Sequence, residues 1–316
     1  MQMRALGRTG LTISPVVFGG NVFGWTADEK TSFALLDAWL DAGLNTIDTA
    51  DVYSSWAPGN SGGESETIIG KWLKQSGRRR EDVVIVTKVG SDMGNGNKGL
   101  KAGWINSAIE DSLRRLQTDY VDLYLSHWPD AETPYEETLG AFEALKAAGK
   151  IRAIGCSNLD ATQLSQSLAV ARDKGLPRYD VLQPEYNLYT RGKFEGPLAE
   201  LCIAEEIGVI TYFSLASGFL TGKYRSLADV EGKVRGGGMK AYLNEKGARI
   251  LDALQTVSSA NGAKPAEIAI AWLLAKPGVT APIASATSLS QLESLKTAAT
   301  LKLDAEAMAL LDAAGA

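Results

Sequence analysis

VDLYLSH, residues 121–127, is an apolar run of strand length that ends in His127, the only histidine of the chain. An earlier run, VVIVTK (83–88), has the same form and ends in Lys88. The two polar residues are about 40 residues apart, and a strand, a helix and their connections need a segment of that length. The spacing therefore predicts a β/α unit that repeats and that delivers a titratable group at the end of each strand.

Apolar, strand-length runs recur along the chain, as expected for parallel strands that are buried on both faces. Eight are found: 15–20, 45–49, 83–88, 121–127, 151–157, 180–186, 208–214 and 279–285. Segments with helical periodicity lie between them, at 30–43, 65–77, 105–116, 135–150 and 161–175. Eight strands that alternate with helices predict a (β/α)8 TIM barrel. An open, doubly wound sheet is the alternative, but no glycine-rich dinucleotide turn follows the first strand.

The segments outside this pattern are few. Around Arg8-Thr9-Gly10, MRALG and LTIS predict a short N-terminal hairpin that closes the bottom of the barrel. No linker or change in composition divides the chain, so one domain over residues 1–316 is expected. The longest irregular stretch is 216–243, and a loop of that length is usually functional or mobile.

Four residues form a candidate catalytic group. Asp48, Lys88 and His127 end consecutive predicted strands, and Tyr53 lies in the loop after the first of them. Each alone has an ordinary structural explanation, but a TIM barrel carries its chemistry on the C-terminal rim, where all four are expected. The charge of Lys88 would stabilise a Tyr53 phenolate and lower the pKa of the phenol. Asp48 would hold Lys88, and His127 would donate to a carbonyl oxygen.

This group indicates proton transfer to a developing alkoxide, with Tyr53 as the general acid. No side chain supplies a hydride, so the chemistry implies a nicotinamide cofactor. No metal site is predicted.

The composition limits the class of protein. The 316 residues include 32 basic and 37 acidic residues, a net charge of −5, which argues against a nucleic-acid partner. No apolar run is long enough to span a membrane, and the N-terminus has no secretory signal, so a cytoplasmic protein is expected. Cys156 and Cys202 lie in apolar contexts and are predicted to be free, buried thiols.

Ordered motifs across nearly the whole chain resemble the aldo-keto reductases, in particular a bacterial member of the branch that includes potassium-channel β-subunit-like reductases. They include GRTGLTIS (7–14), DTADVY (48–53), DLYLSHWP (122–129), GKIRAIGCSN (149–158) and YFSLASGFLTGKY (212–224). The resemblance implies a (β/α)8 barrel that reduces carbonyl compounds with NADPH, with Tyr53 as proton donor and Asp48, Lys88 and His127 in support.

The resemblance also implies the cofactor contacts. Ser157, Asn158 and Gln183 match positions that hold the nicotinamide carboxamide, and Tyr212 matches the aromatic residue that stacks on the ring. A loop around the pyrophosphate is matched by Ser214, Leu215, Gly218, Leu220 and Lys223. The adenine end departs from the family pattern, since it has no arginine fork. Here the expected contacts are Lys223, Arg235, Ser285, Thr287 and Gln291, with NADPH preferred and NADH possible.

The expected substrate is a small carbonyl compound or its alcohol. Several aromatic residues fall in loops after strands, which suggests an apolar or sugar-like ligand. The candidate contacts are Asn21, Trp25, Trp56, Trp128 and Asp130. Three other functions stay open: a nucleotide-sensing partner subunit, a dehydrogenase that works mainly in alcohol oxidation, and a barrel hydrolase or isomerase that uses His127. The chain is expected to be a monomer or a homo-oligomer.

Overall fold

The protein, as a computed structural model, is described over residues 2–233 and 236–316, and its strands form a small hairpin and a closed barrel. The hairpin consists of β1 (Arg4–Ala5) and β2 (Thr12–Ile13). The barrel strands are β3 (Val17–Gly19), β4 (Thr46–Asp48), β5 (Val84–Val89), β6 (Val121–Ser126), β7 (Ile151–Ser157), β8 (Val181–Gln183), β9 (Gly208–Thr211) and β10 (Ala281–Ala284).

The barrel is parallel throughout and follows the order of the chain. Each strand from β3 to β9 pairs with the next, β9 pairs with β10, and β10 pairs with β3. The described residues thus form the predicted (β/α)8 barrel, and the open sheet is wrong. Every residue of β5 and β6 is buried, as the continuous apolar runs predict for strands covered on both faces.

Helices surround the barrel in the described ranges. They are α1 (Glu29–Asp41), α2 (Glu64–Gln75), α3 (Ala102–Leu116), α4 (Tyr135–Ala147), α5 (Ala161–Lys174), α6 (Pro197–Ala204), α7 (Leu227–Val230), α8 (Gly236–Met239), α9 (Glu245–Asn261), α10 (Pro265–Ala275), α11 (Leu289–Ala298) and α12 (Ala305–Gly315). The five helices predicted from periodicity are all present, with ends that differ by up to three residues. None of the helices in the described ranges is long and apolar enough to span a membrane.

The ends of α5 show how the local sequence sets these bounds. The Asp160 side chain accepts a hydrogen bond from the Gln163 backbone, and the Gln163 side chain accepts one from the Asp160 backbone. This capping box satisfies donors that a helix N-terminus leaves free. At the other end, Gly175 adopts φ +69°, a left-handed conformation in which a glycine is least strained, and terminates the helix.

The N-terminal hairpin closes the bottom of the barrel, as predicted. Leu6, Leu11 and Ile13 are buried in one cluster with side chains of the barrel interior, such as Val86 and Leu123. This cluster is separate from the larger core between the strands and the helices. The hairpin approaches the barrel closely, because a Cβ added at position 7, where φ is +51°, would lie only 2.4 Å from the Gly208 backbone nitrogen.

Two strands end three residues earlier than the sequence predicts. The run 180–186 forms only β8, Val181–Gln183, because Pro184 follows and has no backbone N–H to donate. The run 208–214 stops at Thr211, and Phe213 adopts φ +52°, which is incompatible with an extended strand. Tyr212, a predicted cofactor contact, therefore lies just beyond the end of β9.

The irregular stretch 216–243 is divided into short helical segments in its described part. A 3-10 helix spans Ala216–Thr221, α7 and α8 follow, and a further 3-10 turn covers Lys240–Tyr242. Arg235, a predicted cofactor contact, lies outside the described residues. Cys156 and Cys202 are free and buried, as predicted.

Candidate active site

The barrel register brings the four predicted catalytic residues to one rim. Asp48 is the last residue of β4, Lys88 lies near the end of β5, and His127 directly follows β6. Asp48 pairs with Val86, two residues before Lys88, so the two side chains leave neighbouring strands at nearly the same level. Tyr53 lies in the loop after β4, and its side chain reaches the same rim.

The ammonium group of Lys88 is the centre of the group. Nζ donates to Oδ2 of Asp48 at 2.8 Å, to the hydroxyl of Tyr53 at 3.0 Å and to the backbone oxygen of Thr49 at 2.7 Å. Lys88 and Asp48 are both buried. Three acceptors thus satisfy the three donors of the ammonium, which is the arrangement a buried cation needs.

Tyr53 also contacts Asp48 directly, since its hydroxyl lies 3.5 Å from Oδ2. Although Tyr53 is half-buried as a residue, burial raises the pKa of its phenol well above the ordinary value, and the negative charge of Asp48 raises it further. The expected lowering of the Tyr53 pKa is therefore wrong as a net effect, because burial and the charge of Asp48 raise it. The phenol is protonated at neutral pH and is suited to donate a proton.

Lys88 itself experiences two opposed influences. Burial lowers the pKa of Lys88, whereas the negative charge of Asp48 and its hydrogen bond raise it. A buried ammonium keeps its charge only next to such a partner. Asp48 thus has two effects on the site: it stabilises the cation, and it disfavours the phenolate.

His127 lies beside this group, with its ring centroid 6.0 Å from that of Tyr53. Burial, and next the positive charge of Lys88, lower the pKa of His127 well below its ordinary value, so the imidazole is neutral at pH 7. Nδ1 lies 2.9 Å from Oγ of Ser91, and the indole N–H of Trp128 donates to the same oxygen at 3.1 Å. Ser91 was not among the residues predicted from the sequence.

The residues predicted to hold the nicotinamide carboxamide adjoin the catalytic group. Nε2 of Gln183 donates to Oδ1 of Asp48 at 2.8 Å, a contact between β8 and β4 across the barrel. The Asn158 amide donates to the backbone oxygen of His127 at 2.9 Å, and its carbonyl accepts from the Tyr212 hydroxyl at 2.7 Å. Asn158 adopts φ +65°, which turns this side chain back over the rim.

Ser157 completes this set. Its hydroxyl donates to the backbone oxygen of Gln183 at 2.7 Å, and it accepts from the Asn158 amide at 3.1 Å. Amide and hydroxyl groups on adjacent strand ends, with the half-buried ring of Tyr212 beside them, fit a planar ligand that carries a carboxamide. The donor set is thus suited to the nicotinamide end of a dinucleotide.

The predicted pyrophosphate loop follows Tyr212. Ser214 and Leu215 precede the 3-10 helix, which contains Gly218 and Leu220. Gly218 adopts φ +101°, and a Cβ there would meet nothing within 4 Å, so the backbone borders open space. Lys223 is exposed beyond the loop, and within the described ranges no hydrogen bond or ion pair engages its ammonium. A free cation next to exposed loop backbone fits an anionic ligand.

Three of the predicted adenine contacts, Ser285, Thr287 and Gln291, form hydrogen bonds with one another or with Asn21, which follows β3. The Ser285 hydroxyl donates to Oδ1 of Asn21 at 2.6 Å, which links a predicted cofactor contact to a predicted substrate contact. The backbone nitrogen and the hydroxyl of Thr287 both donate to Oε1 of Gln291, at 2.8 and 3.1 Å. Neither pair includes a positive charge.

Aromatic rings surround the opening above Tyr53. Trp56 packs edge to face against Tyr53 at 5.6 Å and against Trp25 at 5.8 Å. On the other side Trp128 stacks on His127 at 5.5 Å with a 13° angle between the rings. Trp56 and Trp128 are 45% and 48% exposed, which is high for tryptophan and makes both rings available to a ligand.

Asp130, the remaining predicted substrate contact, has a structural role. Oδ2 accepts from the Leu100 backbone at 2.8 Å and from the Thr133 hydroxyl at 2.7 Å, and Oδ1 accepts from the Glu132 backbone at 2.9 Å. Its carboxylate therefore ties together the loops after β5 and β6.

A second buried acid, also missed from the sequence, lies behind Lys88. Asp51 is 2% exposed, and neither carboxylate oxygen makes a hydrogen bond of normal geometry with the described residues. Burial and the negative charge of Glu66 raise the pKa of Asp51 to about 8. Asp51 belongs to the DTADVY segment, but its lack of partners is visible only in three dimensions.

Comparisons with known proteins give one consistent result. The model of the Aldo/keto reductase family matches residues 15–316. An uncharacterized oxidoreductase of Bacillus subtilis (strain 168), YrpG, is 36% identical over 99% of this chain and 95% of its own length. A probable voltage-gated potassium channel subunit beta of Oryza sativa subsp. japonica is 37% identical over 92% and 89%. The aldo-keto reductase YhdN of Bacillus subtilis (strain 168) is 35% identical over 93% and 88%.

Proposed function

This chain belongs to the aldo/keto reductase family, and we propose that it reduces an aldehyde or a ketone to the alcohol with NADPH as the hydride donor. The observation that carries the proposal is the position of Nζ of Lys88, which bonds to both Asp48 and Tyr53. This arrangement holds a protonated phenol next to a buried cation at the mouth of a barrel.

The carbonyl oxygen of the substrate would accept hydrogen bonds from the Tyr53 hydroxyl and from Nε2 of His127. Negative charge develops on that oxygen as the carbon is reduced, and donors fixed in advance stabilise it. The Tyr53 proton then moves to the oxygen and gives the alcohol. Lys88 stabilises the phenolate that remains until a proton from solvent restores it.

When bound, NADPH supplies the hydride that no side chain can supply. Asn158, Gln183 and Ser157 would hold its carboxamide, and the Tyr212 ring would pack on the nicotinamide face. The contacts between Gln183 and Asp48 and between Asn158 and the His127 backbone support this assignment, because both amide side chains lie within hydrogen-bonding distance of the proposed proton-transfer group. Lys223 would bind the 2′-phosphate.

A second candidate is a nucleotide-sensing partner subunit with little turnover. The resemblance to a probable potassium channel subunit beta from rice favours it. Such a role would use the same dinucleotide site, so cofactor binding alone does not separate the two functions. Turnover does.

The test is a spectrophotometric assay in which the protein is mixed with NADPH and a panel of aromatic, aliphatic and sugar aldehydes. An enzyme oxidises NADPH, so the absorbance of reduced nicotinamide falls, whereas its Tyr53→Phe variant should lose most of this turnover. Protein fluorescence measures binding in the same samples. Quenching by NADPH without turnover on any carbonyl would favour the sensing role, and the absence of quenching would contradict both.

A further inference from the structure

We propose that Ser91 is a positioning residue that holds His127 in the neutral tautomer with its hydrogen on Nε2. The inference rests on the proposed reduction for its purpose, since that hydrogen is the one a substrate oxygen would accept. Its structural basis is separate: a chain of hydrogen bonds from the Trp128 indole to Ser91 and from Ser91 to the imidazole.

The direction of these hydrogen bonds follows from the first donor, which is the indole of Trp128. An indole nitrogen only donates, so Oγ of Ser91 accepts from Trp128. Within the described residues the other partner of Oγ is Nδ1 of His127, at 2.9 Å. A serine hydroxyl carries one hydrogen, and Nδ1 is the acceptor available to it.

The opposite tautomer leaves a donor without a partner. If Nδ1 carried the hydrogen, Ser91 would accept twice, and its own hydroxyl hydrogen would have no acceptor in the part of the chain that the structure describes. Ser91 is only 7% exposed, and a buried donor without a partner is costly. The arrangement in which Ser91 donates to Nδ1 gives both the Ser91 hydroxyl hydrogen and Nδ1 a partner, and it places the imidazole hydrogen on Nε2.

The rest of the ring is already fixed. The backbone nitrogen of His127 donates to Val89 at 2.8 Å, Asn158 donates to its backbone oxygen at 2.9 Å, and Trp128 stacks on its face. These contacts set the place and plane of the imidazole but do not select a tautomer. That choice depends on Ser91, and it determines whether His127 offers Nε2 as a donor or as an acceptor.

The tautomer is directly measurable because His127 is the only histidine. With ¹⁵N-labelled histidine, the two ring nitrogens give separate signals whose shifts distinguish a protonated from an unprotonated nitrogen. We expect Nε2 to be protonated and Nδ1 to be an unprotonated acceptor in the wild-type protein, without substrate. A wild-type imidazole with its hydrogen on Nδ1, or an equal mixture, would overturn the proposal.

Variants test the role of Ser91. Ser91→Ala should shift the Nδ1 signal, shift the Trp128 indole signal and populate both tautomers. Ser91→Thr keeps the hydroxyl and should restore the wild-type spectrum. Trp128→Phe keeps a ring over His127 but removes the indole donor, so it should shift Nδ1 less than Ser91→Ala does. Unchanged imidazole signals in Ser91→Ala would refute the assignment.

Kinetics give a second readout in the same variants. Ser91→Ala should lower kcat for carbonyl reduction by about tenfold, less than the ~10²–10³-fold loss typical of removing a donor outright. The dissociation constant of NADPH should be unchanged, and Ser91→Thr should recover most of kcat. Loss of NADPH binding together with kcat, without recovery in Ser91→Thr, would mean that Ser91 only supports the loop.

The two proposals fail separately. The tautomer is measured without turnover, so a protein that reduces no carbonyl compound would contradict the proposed function and leave the Ser91 assignment standing. Conversely, an active enzyme with its imidazole hydrogen on Nδ1 would contradict only the role of Ser91.

Discussion

Nζ of Lys88 lies 2.8 Å from Oδ2 of Asp48, and the two side chains are 0% and 2% exposed. Tyr53 contacts both members of this buried pair, at 3.0 Å from the cation and 3.5 Å from the anion. The cation favours a phenolate and the anion disfavours it. The balance of the two charges therefore controls the proton of Tyr53.

Lys88→Met should move the pH dependence of the reaction upwards. Loss of the adjacent cation should raise the Tyr53 pKa further, because the phenolate loses its nearest positive charge. Alcohol oxidation requires the phenolate and should be slower at any fixed pH below the new pKa. Reduction requires the phenol and should persist to higher pH. The measurement is kcat/KM against pH in both directions, and unmoved profiles would mean that Lys88 only positions Tyr53.

Asp48→Asn should shift the same profiles downwards. Asp48 lies close enough to Tyr53 to raise its pKa directly, so a neutral amide at this position should make the phenolate easier to form. A simpler view is that Asp48 acts only by holding Lys88. On that view Asp48→Asn should shift the pH profiles upwards, in the same direction as Lys88→Met. An upward shift in Asp48→Asn would support that simpler view. Thermal unfolding of both variants checks that the barrel is intact, since an unpaired buried charge costs about 3–5 kcal/mol.

Tyr53→Phe should abolish most turnover and leave cofactor binding nearly intact. The substitution removes only the hydroxyl that we propose as the proton donor, and general acid catalysis contributes about 10²–10⁴-fold. The ring that packs on Trp56 is retained. Single-turnover reduction and fluorescence titration with NADPH measure the two effects. Turnover within a few-fold of the wild type would assign the proton to another group, His127 first.

The sequence was sufficient to predict which residues reach the rim. Asp48, Lys88 and His127 each lie at or near the end of a buried run, and the parallel barrel brings the ends of such runs together whatever the details of packing. The hairpin was predictable for a similar reason, since turn residues separate two short apolar segments. These features depend on local pattern and on one topological rule.

The contacts that tune the site were not predictable. Ser91 is significant only because Trp128 and His127, from the next loop, lie on either side of its hydroxyl. Gln183 reaches Asp48 across the barrel from a strand 135 residues later. The net effect on the Tyr53 pKa depends on burial, which no spacing reveals. Pairwise side-chain geometry across loops is a property of the packed fold and not of any one segment.

Lys223→Ala should weaken NADPH binding and leave NADH binding nearly unchanged. Lys223 is exposed beside the loop after Tyr212, and its ammonium is engaged by no described residue, so it is available to the 2′-phosphate that NADH lacks. Lys302→Ala is a matched control, because Lys302 is exposed between α11 and α12, at the opposite end of the barrel from the loops that follow the strands. Fluorescence titration of both cofactors gives the comparison. An equal loss of affinity for NADPH and NADH would show that Lys223 does not bind the 2′-phosphate.

Trp56→Ala should raise KM for bulky aromatic aldehydes more than for small aliphatic ones. Trp56 is 45% exposed, and it packs against Tyr53 and Trp25 at the opening, so its ring contributes apolar contact to a large ligand. Leu310→Ala removes a side chain of similar exposure (40%) on α12 and should leave both KM values unchanged. A uniform fall in kcat with unaltered KM would indicate that Trp56 serves to orient Tyr53 and not to bind substrate.

Asp51→Asn should make the free energy of unfolding less sensitive to pH. Burial, with the charge of Glu66, raises the pKa of Asp51 to about 8 in the folded protein, whereas an unfolded aspartate titrates near 4. Between these values the unfolded chain has lost the proton and the folded chain retains it. The free energy of unfolding therefore falls as pH rises across this window, by about 1.4 kcal/mol per pH unit. Below the window the carboxyl is neutral in both states and contributes no pH dependence.

An asparagine at position 51 is neutral at every pH, so the free energy of unfolding of the variant does not fall in this way as pH rises. Urea unfolding across pH 4 to 9 should give similar stability for the two proteins at the acid end and a more stable variant at pH 8. The exposed residue Asp119 provides a control, since Asp119→Asn removes a carboxylate that is solvated in both states. Parallel stability profiles for wild type and Asp51→Asn would show that Asp51 is ionised in the folded protein. Its negative charge would then act together with that of Asp48 in keeping Lys88 protonated. The pH dependence of turnover would in that case depend on Asp48, Asp51 and Lys88, and not on Asp48 and Lys88 alone.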